Sequence, residues 1–281
     1  MRYVLAGFVA LLSGCSEIGP YINFEEQQTV EDTVAIDEGQ SRIVILEFFT
    51  GASCPNCPKG RKIADDLLQT YAGKLQVVEI HQGPLAGPAL PGDPDLRTEE
   101  GEELAAYLGP PSYWPVGAIN RVKHEVSPGN WQLLVDRSLW PSLVAEQSGR
   151  PLQVAMGCSL TYEPTARKLS GTLGVRFLES VDIPVYLTVL IIEDSIVSAQ
   201  LDGVQLISDY VHRDVLRDFI TPHTGVAIGS NKQKGETWYW SFRDYVIPDE
   251  WDDRHCHLVA MVTASGNSYE VFQSLRQKIR S

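Results

Sequence analysis

The first half of the chain alternates short apolar runs with segments that are apolar on one side only, a pattern typical of strands and helices in turn. Residues 42–49 and 75–81 are apolar runs of strand length, and the first is apolar on both faces, as in a central strand. Residues 58–72 carry apolar side chains at helical spacing, with Pro58 in the first turn, and residues 96–108 form a second helical pattern. This β-α-β-α order predicts a small α/β domain with right-handed crossovers.

The second half of the chain has short apolar runs separated by turn residues. The alternation of Leu173, Val175 and Phe177 with small or polar residues is one of several strand patterns there. This spacing predicts an all-β domain, an antiparallel and immunoglobulin-like sandwich, over residues 150–281. The α/β domain then occupies residues 41–149.

Two segments of the predicted β domain have less distinct patterns. Residues 210–220 place several apolar side chains on one helical face and predict a short helix; these are Val211, Val215, Leu216 and Phe219. Residues 269–279 fit either a strand or a helix, and the strand is the favoured interpretation.

The N-terminus has the features of a secretory signal. Residues 1–14 contain one Arg, an apolar stretch too short to serve as a stable bilayer anchor and a small-residue end. With Cys15 this end resembles the bacterial lipobox, which implies a lipid on Cys15, and Ser16 resembles a signal for transfer to the outer membrane. The alternative is an ordinary signal peptide with an incidental Cys15. Residues 15–40 are polar and acidic and are expected to form a tether, with a short strand at residues 33–36.

Composition and cysteine usage narrow the function classes. The formal net charge of −13 argues against nucleic acid as a partner and against adhesion to anionic lipid by charge alone. Of the five cysteines, Cys158 and Cys256 lie far from the others. They form either a disulfide, which an exported protein can hold, or two small buried side chains. The second interpretation is favoured, because nothing in the sequence brings the two together.

The most informative motif is Cys54-Pro55-Asn56-Cys57, between the first predicted strand and the first predicted helix. A C-x-x-C pair at a helix start is typical of thiol–disulfide chemistry, because the helix dipole stabilises a thiolate there. Cys54 is then the expected nucleophile, at an exposed helix start, and Cys57 the resolving thiol. The alternatives are an inert structural disulfide and half of a metal site. His255-Cys256-His257 is the one cluster that offers further ligands, and it lies in the other predicted domain, so we expect no metal and no cofactor.

A family resemblance is carried by several segments, namely Leu46–Gly51, Cys54–Pro58, Ile80-His81, Trp114–Arg121 and Tyr210–Arg217. With them the chain resembles the family related to outer membrane protein 28. These are lipoproteins of Gram-negative bacteria in which a thioredoxin-like domain precedes a β-rich domain. The resemblance implies a thioredoxin-like fold for residues 41–149.

The resemblance also implies roles for single residues. Pro115 resembles the cis-proline that packs against the disulfide in thioredoxin-like folds, which would leave the backbone of Trp114 free to pair with a bound peptide. Glu47 resembles the buried acid that assists proton transfer from the second Cys. The alternatives are a trans proline at a sheet edge and a surface Glu at a strand end. Pro55 and Asn56 would contact substrate, and they imply a reduction potential more oxidising than about −270 mV.

Two polar features have no assigned role in this chemistry. His81 ends a predicted strand, where sites of α/β proteins gather, although a structural histidine is the favoured interpretation. The cluster formed by His212, Arg213, Asp214 and Arg217 is either a ligand or partner site or, as we favour, a solvated helix face.

Taken together, these patterns predict a lipid-anchored envelope protein, located at the outer membrane, that exchanges thiols and disulfides with exported proteins. In that reaction the Cys54 thiolate attacks a substrate disulfide and Cys57 resolves the mixed disulfide. The rival hypothesis is a binding or structural lipoprotein without catalytic activity, in which the Cys54–Cys57 pair is only a structural disulfide.

Overall fold

A computed structural model describes residues 33–265 and 268–280, and the described residues belong to one compact unit. The predicted signal peptide, Cys15 and most of the predicted tether lie outside the described residues.

The described part of the chain contains three α-helices, α1 Cys57–Thr70, α2 Glu99–Leu108 and α3 Trp140–Ser148. The strands of the first half are β1 Val44–Thr50, β2 Leu75–His81, β3 Val116–Ile119, β4 His124–Ser127, β5 Asn130–Gln132 and β6 Val135–Asp136. Those of the second half are β7 Val154–Glu163, β8 Lys168–Phe177, β9 Val185–Glu193, β10 Ile196–Asp202, β11 Gln205–His212, β12 Val215–Phe219, β13 Val226–Gly229, β14 Thr237–Val246, β15 Cys256–Ala264 and β16 Val271–Lys278.

A mixed sheet of nine described strands joins both halves of the chain. Its order is β16-β15-β9-β12-β2-β1-β3-β6, and β13 pairs with β9 off this path. Strand β12 lies parallel to β2 on one side and antiparallel to β9 on the other. A three-stranded sheet, β14-β8-β7, and the hairpins β10-β11 and β4-β5 complete the strand pairing.

The large sheet is covered on both faces, which explains the continuous apolar sequence of its central strands. In β1, Val44, Leu46 and Phe48 pack with α1 and α3, whereas Ile45 and Phe49 pack on the opposite face with α2. The core under α2 also contains side chains of β9, β12 and β15, so that one core is built from both halves of the chain. The sheet β14-β8-β7 packs on the far part of the large sheet.

The predicted fold class, an α/β thioredoxin-like domain followed by an immunoglobulin-like antiparallel β-sandwich, is wrong. The protein is mostly β, with one mixed sheet and several small ones. The physical reason is that β12 inserts between β2 and β9, so the strands of the two predicted domains share one sheet and one core. Pairing of this kind joins residues far apart in sequence, and local patterns carry no signal for it.

The predicted helix over residues 210–220 is also wrong. This segment contains the end of β11, a turn at Asp214 with φ of 54° and the strand β12. Val215 lies opposite Glu79, and Leu216 lies opposite Ile192. Pairing with two neighbouring strands overrides the helical spacing of the apolar side chains. The favoured strand over residues 269–279 is confirmed by β16.

Residues 33–36, predicted as a short strand, have no regular secondary structure. They lie against β7 and β8, where glycines leave room for them. A Cβ added to Gly157 would stand 2.3 Å from the Ala35 carbonyl oxygen, and one on Gly174 would stand 2.8 Å from Ile36. The segment therefore packs on the protein surface rather than forming part of a free tether.

Candidate functional site

The candidate site is the loop that joins β1 to α1. Cys54 and Cys57 form a disulfide there, and Cys57 is the first residue of α1, followed by Pro58 in the first turn. Both cysteines are buried, with 1% and 2% of their surface exposed. The sequence predicts an exposed Cys54, and the structure corrects this expectation.

The β10-β11 hairpin covers this loop. The backbone N–H groups of Leu201 and Gly203 donate to the carbonyl oxygens of Ala52 and Pro55, each at 2.9 Å. The side-chain amide of Gln200, itself 2% exposed, donates to the carbonyl oxygens of Gly51 and Cys54 at 3.2 and 3.1 Å. A segment about 150 residues further along the chain thus closes the site, and no local pattern around Cys54 indicates it.

A second loop holds the motif from the other side. The Ser53 backbone N–H donates to the Leu85 carbonyl oxygen at 2.9 Å, and the Ser53 hydroxyl donates to the Gly87 carbonyl oxygen at 3.2 Å. A Cβ on Gly51 would stand 2.3 Å from the same Leu85 oxygen, so glycine permits the close approach. The disulfide loop is therefore fixed by backbone contacts on both sides.

The predicted acid Glu47 is fully buried in the middle of β1. Both of its carboxylate oxygens accept hydrogen bonds from Arg121, from Nε at 2.7 Å and from Nη2 at 2.6 Å. Arg121 is 2% exposed, so this is a buried bidentate ion pair. In this arrangement the Glu47 carboxylate is paired with the Arg121 guanidinium, and each of its two oxygens has a hydrogen-bond partner.

The peptide bond between Trp114 and Pro115 is cis, as the family resemblance implies. Pro115 packs on α1, where a Cβ on Gly60 would stand 2.9 Å from its ring. Trp114 packs over Gly83, and its indole Nε1 is buried without a hydrogen-bond partner.

The remaining predicted contact residues lie at the start of α1. Pro55 is half-buried and its carbonyl oxygen is taken by Gly203 of the hairpin. Asn56 is exposed, and its side-chain oxygen accepts a hydrogen bond from Lys59 at 3.4 Å. Of the predicted substrate-contacting residues, Asn56 is the one whose side chain faces solvent most fully.

Cys158 and Cys256 are free thiols. Burial raises the pKa of each to about 12, and for Cys256 the nearby Glu193 adds to the effect. They are therefore protonated at neutral pH. Cys256 is buried and Cys158 is half-buried, so the interpretation as buried side chains holds fully for Cys256 alone.

A buried polar cluster lies where β2 meets β12, and no pattern in the sequence connects its members. Arg61 of α1 contacts Glu79 at 3.4 Å and Asp214 at 3.0 Å. Burial raises the pKa of Glu79 to about 7, although Arg61 opposes the shift. Beside Glu79 lie His81 and His212, whose rings are 5.2 Å apart between centroids. Burial lowers the pKa of His212 to about 4 and that of His81 well below its usual value.

An open groove of about 340 Å³ lies between the end of α2, the segment before β3 and the β4-β5 hairpin. Its walls carry two exposed aromatic side chains, Tyr113 at 44% and Trp131 at 59% exposure. Leu108, Val116 and Leu133 form its apolar floor. Grooves of this size with aromatic walls are typical sites for small ligands or for side chains of a partner.

Comparisons with known proteins relate the chain to one family and to several solved structures. The model of the family described as outer membrane protein Omp28 matches residues 112–281, more than half of the chain. No curated protein sequence matches it.

Among solved structures, HBP35 of Porphyromonas gingivalis is 16% identical, with a TM-score of 0.64 over 85% of this chain and 76% of that one. A protein from Agrobacterium tumefaciens is 13% identical, with a TM-score of 0.53 over 86% and 97% of the two chains. At these identities the likeness concerns the fold alone. A domain of the outer membrane lipoprotein Omp28 from Porphyromonas gingivalis is 16% identical and covers 46% of this chain and 90% of its own, with a TM-score of 0.29.

None of the helices in the described part of the chain has the length and apolar character needed to cross a membrane. The family match confirms both the resemblance recognised in the sequence and the predicted location at the outer membrane. The chain therefore belongs to the Omp28 family of outer membrane proteins.

Proposed function

We propose that this lipoprotein acts by binding or as a structural component, without catalysis, and that its Cys54–Cys57 disulfide is a structural cross-link. The observation that carries the proposal is the burial of both cysteines under the β10-β11 hairpin. We further propose that a lipid on Cys15 provides the attachment to the membrane.

The burial matters because thiol–disulfide exchange requires direct attack by a thiolate on one sulfur atom. Redox-active cysteines accordingly lie in partly exposed positions, whereas buried structural ones are inert. Here an attacking thiolate reaches the disulfide only after the backbone bonds from Leu201 and Gly203 have been broken. In addition, both carboxylate oxygens of Glu47 accept hydrogen bonds from Arg121.

As a cross-link, the disulfide fixes the loop on which the hairpin docks. The carbonyl oxygens of Ala52, Cys54 and Pro55 all accept hydrogen bonds from β10 or the turn that follows it. With the loop held in one conformation, these acceptors are positioned before the hairpin binds, which lowers the entropy cost of docking.

The binding face is the groove lined by Tyr113 and Trp131. Exposed aromatic side chains in a concave apolar site are typical of recognition surfaces, because each ring offers a large contact area at a low entropy cost. The ligand class that fits is a small molecule or a partner side chain with an apolar or aromatic group.

The proposal is tested with the mature chain, residues 15–281 with Cys15→Ser, compared with the same chain carrying Cys54→Ser and Cys57→Ser. The sequence separation of 3 closes a short loop, for which the loop-entropy estimate gives about 2 kcal/mol of stability. We expect urea denaturation to show a loss of about this size. We also expect a reduction midpoint below about −300 mV in graded thiol buffers.

The variant Gln200→Ala is the matched control, because it removes two hydrogen bonds of the hairpin and leaves both sulfur atoms in place. It is expected to accelerate reduction of the disulfide by dithiothreitol. A midpoint between about −120 and −270 mV, with no loss of stability in the double serine variant, would instead identify a working oxidoreductase and overturn the proposal.

A further inference from the structure

The cluster of Glu79, His81 and His212 has the composition of a metal site. Glu79 and His81 lie two residues apart on β2 and therefore face the same side of that strand. His212 ends β11 and reaches the cluster because the following strand, β12, pairs with β2 at Glu79. One potential ligand atom from each residue lies within 4.8 Å of the other two, and all three residues are buried.

The two histidines have nitrogen atoms without partners. Neither ring nitrogen of His81 has a hydrogen-bond partner, although the residue is 2% exposed. Nε2 of His212, which is 1% exposed, also has none. Buried polar atoms are nearly always paired, and each one left alone costs free energy. Each of the two rings therefore has at least one buried nitrogen available to bind a ligand.

Outer contacts orient the Glu79 carboxylate within the cluster. Glu79 directs Oε1 to Arg61 at 3.4 Å, whereas its Oε2 lies 4.0 Å from Nε2 of His81. Outer contacts of this type fix the ligands of metal sites in proteins.

We propose that Glu79, His81 and His212 bind a divalent transition metal ion of the zinc class. Two neutral imidazoles and one carboxylate are a ligand set that zinc accepts, with the fourth position left to water. Hard cations such as Ca²⁺ and Mg²⁺ prefer oxygen ligands and are not favoured by two imidazoles. Zinc bonds of roughly 2.0–2.2 Å span ligand atoms about 3.5 Å apart, so the three side chains close by about an ångström on binding.

Because the three side chains are buried, the ion would enter while the protein folds rather than afterwards. The test therefore unfolds the mature chain with Cys15→Ser in urea with its disulfide intact. The chain is then refolded in ZnCl₂ or in EDTA, and bound zinc is counted by plasma mass spectrometry after dialysis. We expect one zinc ion per chain and a melting temperature several degrees above that of the EDTA sample.

The variants His81→Gln and His212→Gln are expected to lose the ion, with at least a tenfold lower zinc content. His255→Gln is the matched control and should retain it, because that side chain is 45% exposed and lies outside the cluster. Absence of zinc from the parent chain would mean that water fills the site and would overturn the proposal. Retention of zinc in both cluster variants would overturn it as well.

If the cluster variants do not fold, X-ray absorption spectroscopy of the zinc-loaded parent chain provides an independent test of the site. Scattering from two imidazoles with nitrogen and oxygen as nearest neighbours would support the site. Sulfur in the first coordination shell would assign the ion to Cys158 or Cys256 and overturn the proposal.

Discussion

The ion pair between Glu47 and Arg121 offers the sharpest test of how this core is stabilised. The side chains are 0% and 2% exposed, and the two hydrogen bonds measure 2.7 and 2.6 Å. The variant Glu47→Gln removes the negative charge and leaves the guanidinium buried without a counter-ion. Breaking a buried pair from one side costs about 3–5 kcal/mol, because the remaining charge is uncompensated.

Urea denaturation of the mature chain, followed by circular dichroism, measures this cost as a change in the free energy of unfolding. A loss of 3–5 kcal/mol corresponds to a melting temperature lower by roughly 6–20 °C for a unit of this size. The double variant Glu47→Gln with Arg121→Met removes both charges. It is expected to be more stable than Glu47→Gln alone, because no unpaired charge remains.

The matched control is Asp66→Asn, which breaks the pair with Lys62 on the surface of α1. Those side chains are 64% and 76% exposed, so the expected loss is below about 1 kcal/mol. If Glu47→Gln costs no more stability than Asp66→Asn, the argument from burial is refuted. It is also refuted if the loss in the double variant equals the sum of the losses measured for Glu47→Gln and Arg121→Met alone.

Two further predictions concern the groove and the free thiols. The dye 1-anilinonaphthalene-8-sulfonate should fluoresce at least threefold less with Trp131→Ala than with the parent chain. The control variant Val204→Ser, on the exposed turn of the β10-β11 hairpin, should leave the fluorescence unchanged. Equal fluorescence with all three proteins would exclude the groove as an apolar binding site. Cys158 and Cys256, each with a pKa raised to about 12, should resist iodoacetamide at pH 8 in the folded protein and react fully in urea. Peptide mass spectrometry distinguishes the two results, and rapid labelling of either thiol in the folded state would contradict the burial argument.

The elements predicted well from the sequence are those whose pattern is local. The strand at residues 75–81 has the predicted bounds, and the helix predicted at 58–72 is α1, displaced by one or two residues at each end. The helix predicted at 96–108 begins later, at Glu99, because Thr98 accepts a hydrogen bond from the Gly101 N–H and caps it. Hydrophobic periodicity and helix capping depend on residues close together in the chain. The signals for these elements are therefore fully present in a single sequence.

The features that were not predicted all depend on contacts between distant parts of the chain. Strand β12 joins β2 across more than 130 residues, and this pairing turns two predicted domains into one sheet. The same pairing places His212 beside His81, although no pattern in the sequence connects these two residues. The burial of Cys54 depends likewise on Gln200 and Leu201. A motif such as C-x-x-C indicates possible chemistry, but its exposure is decided by whichever segment packs over it.

The β10-β11 hairpin connects the two candidate sites. Near its turn, Leu201 and Gly203 hold the disulfide loop, and at its other end His212 completes the cluster with Glu79 and His81. Lifting the hairpin would therefore expose the disulfide and separate the cluster in a single movement. An ion bound by the cluster stabilises the closed hairpin by its own binding free energy, and by linkage it opposes any opening that admits a thiol to the disulfide. The burial of the disulfide and the geometry that brings the histidines together thus have one structural cause.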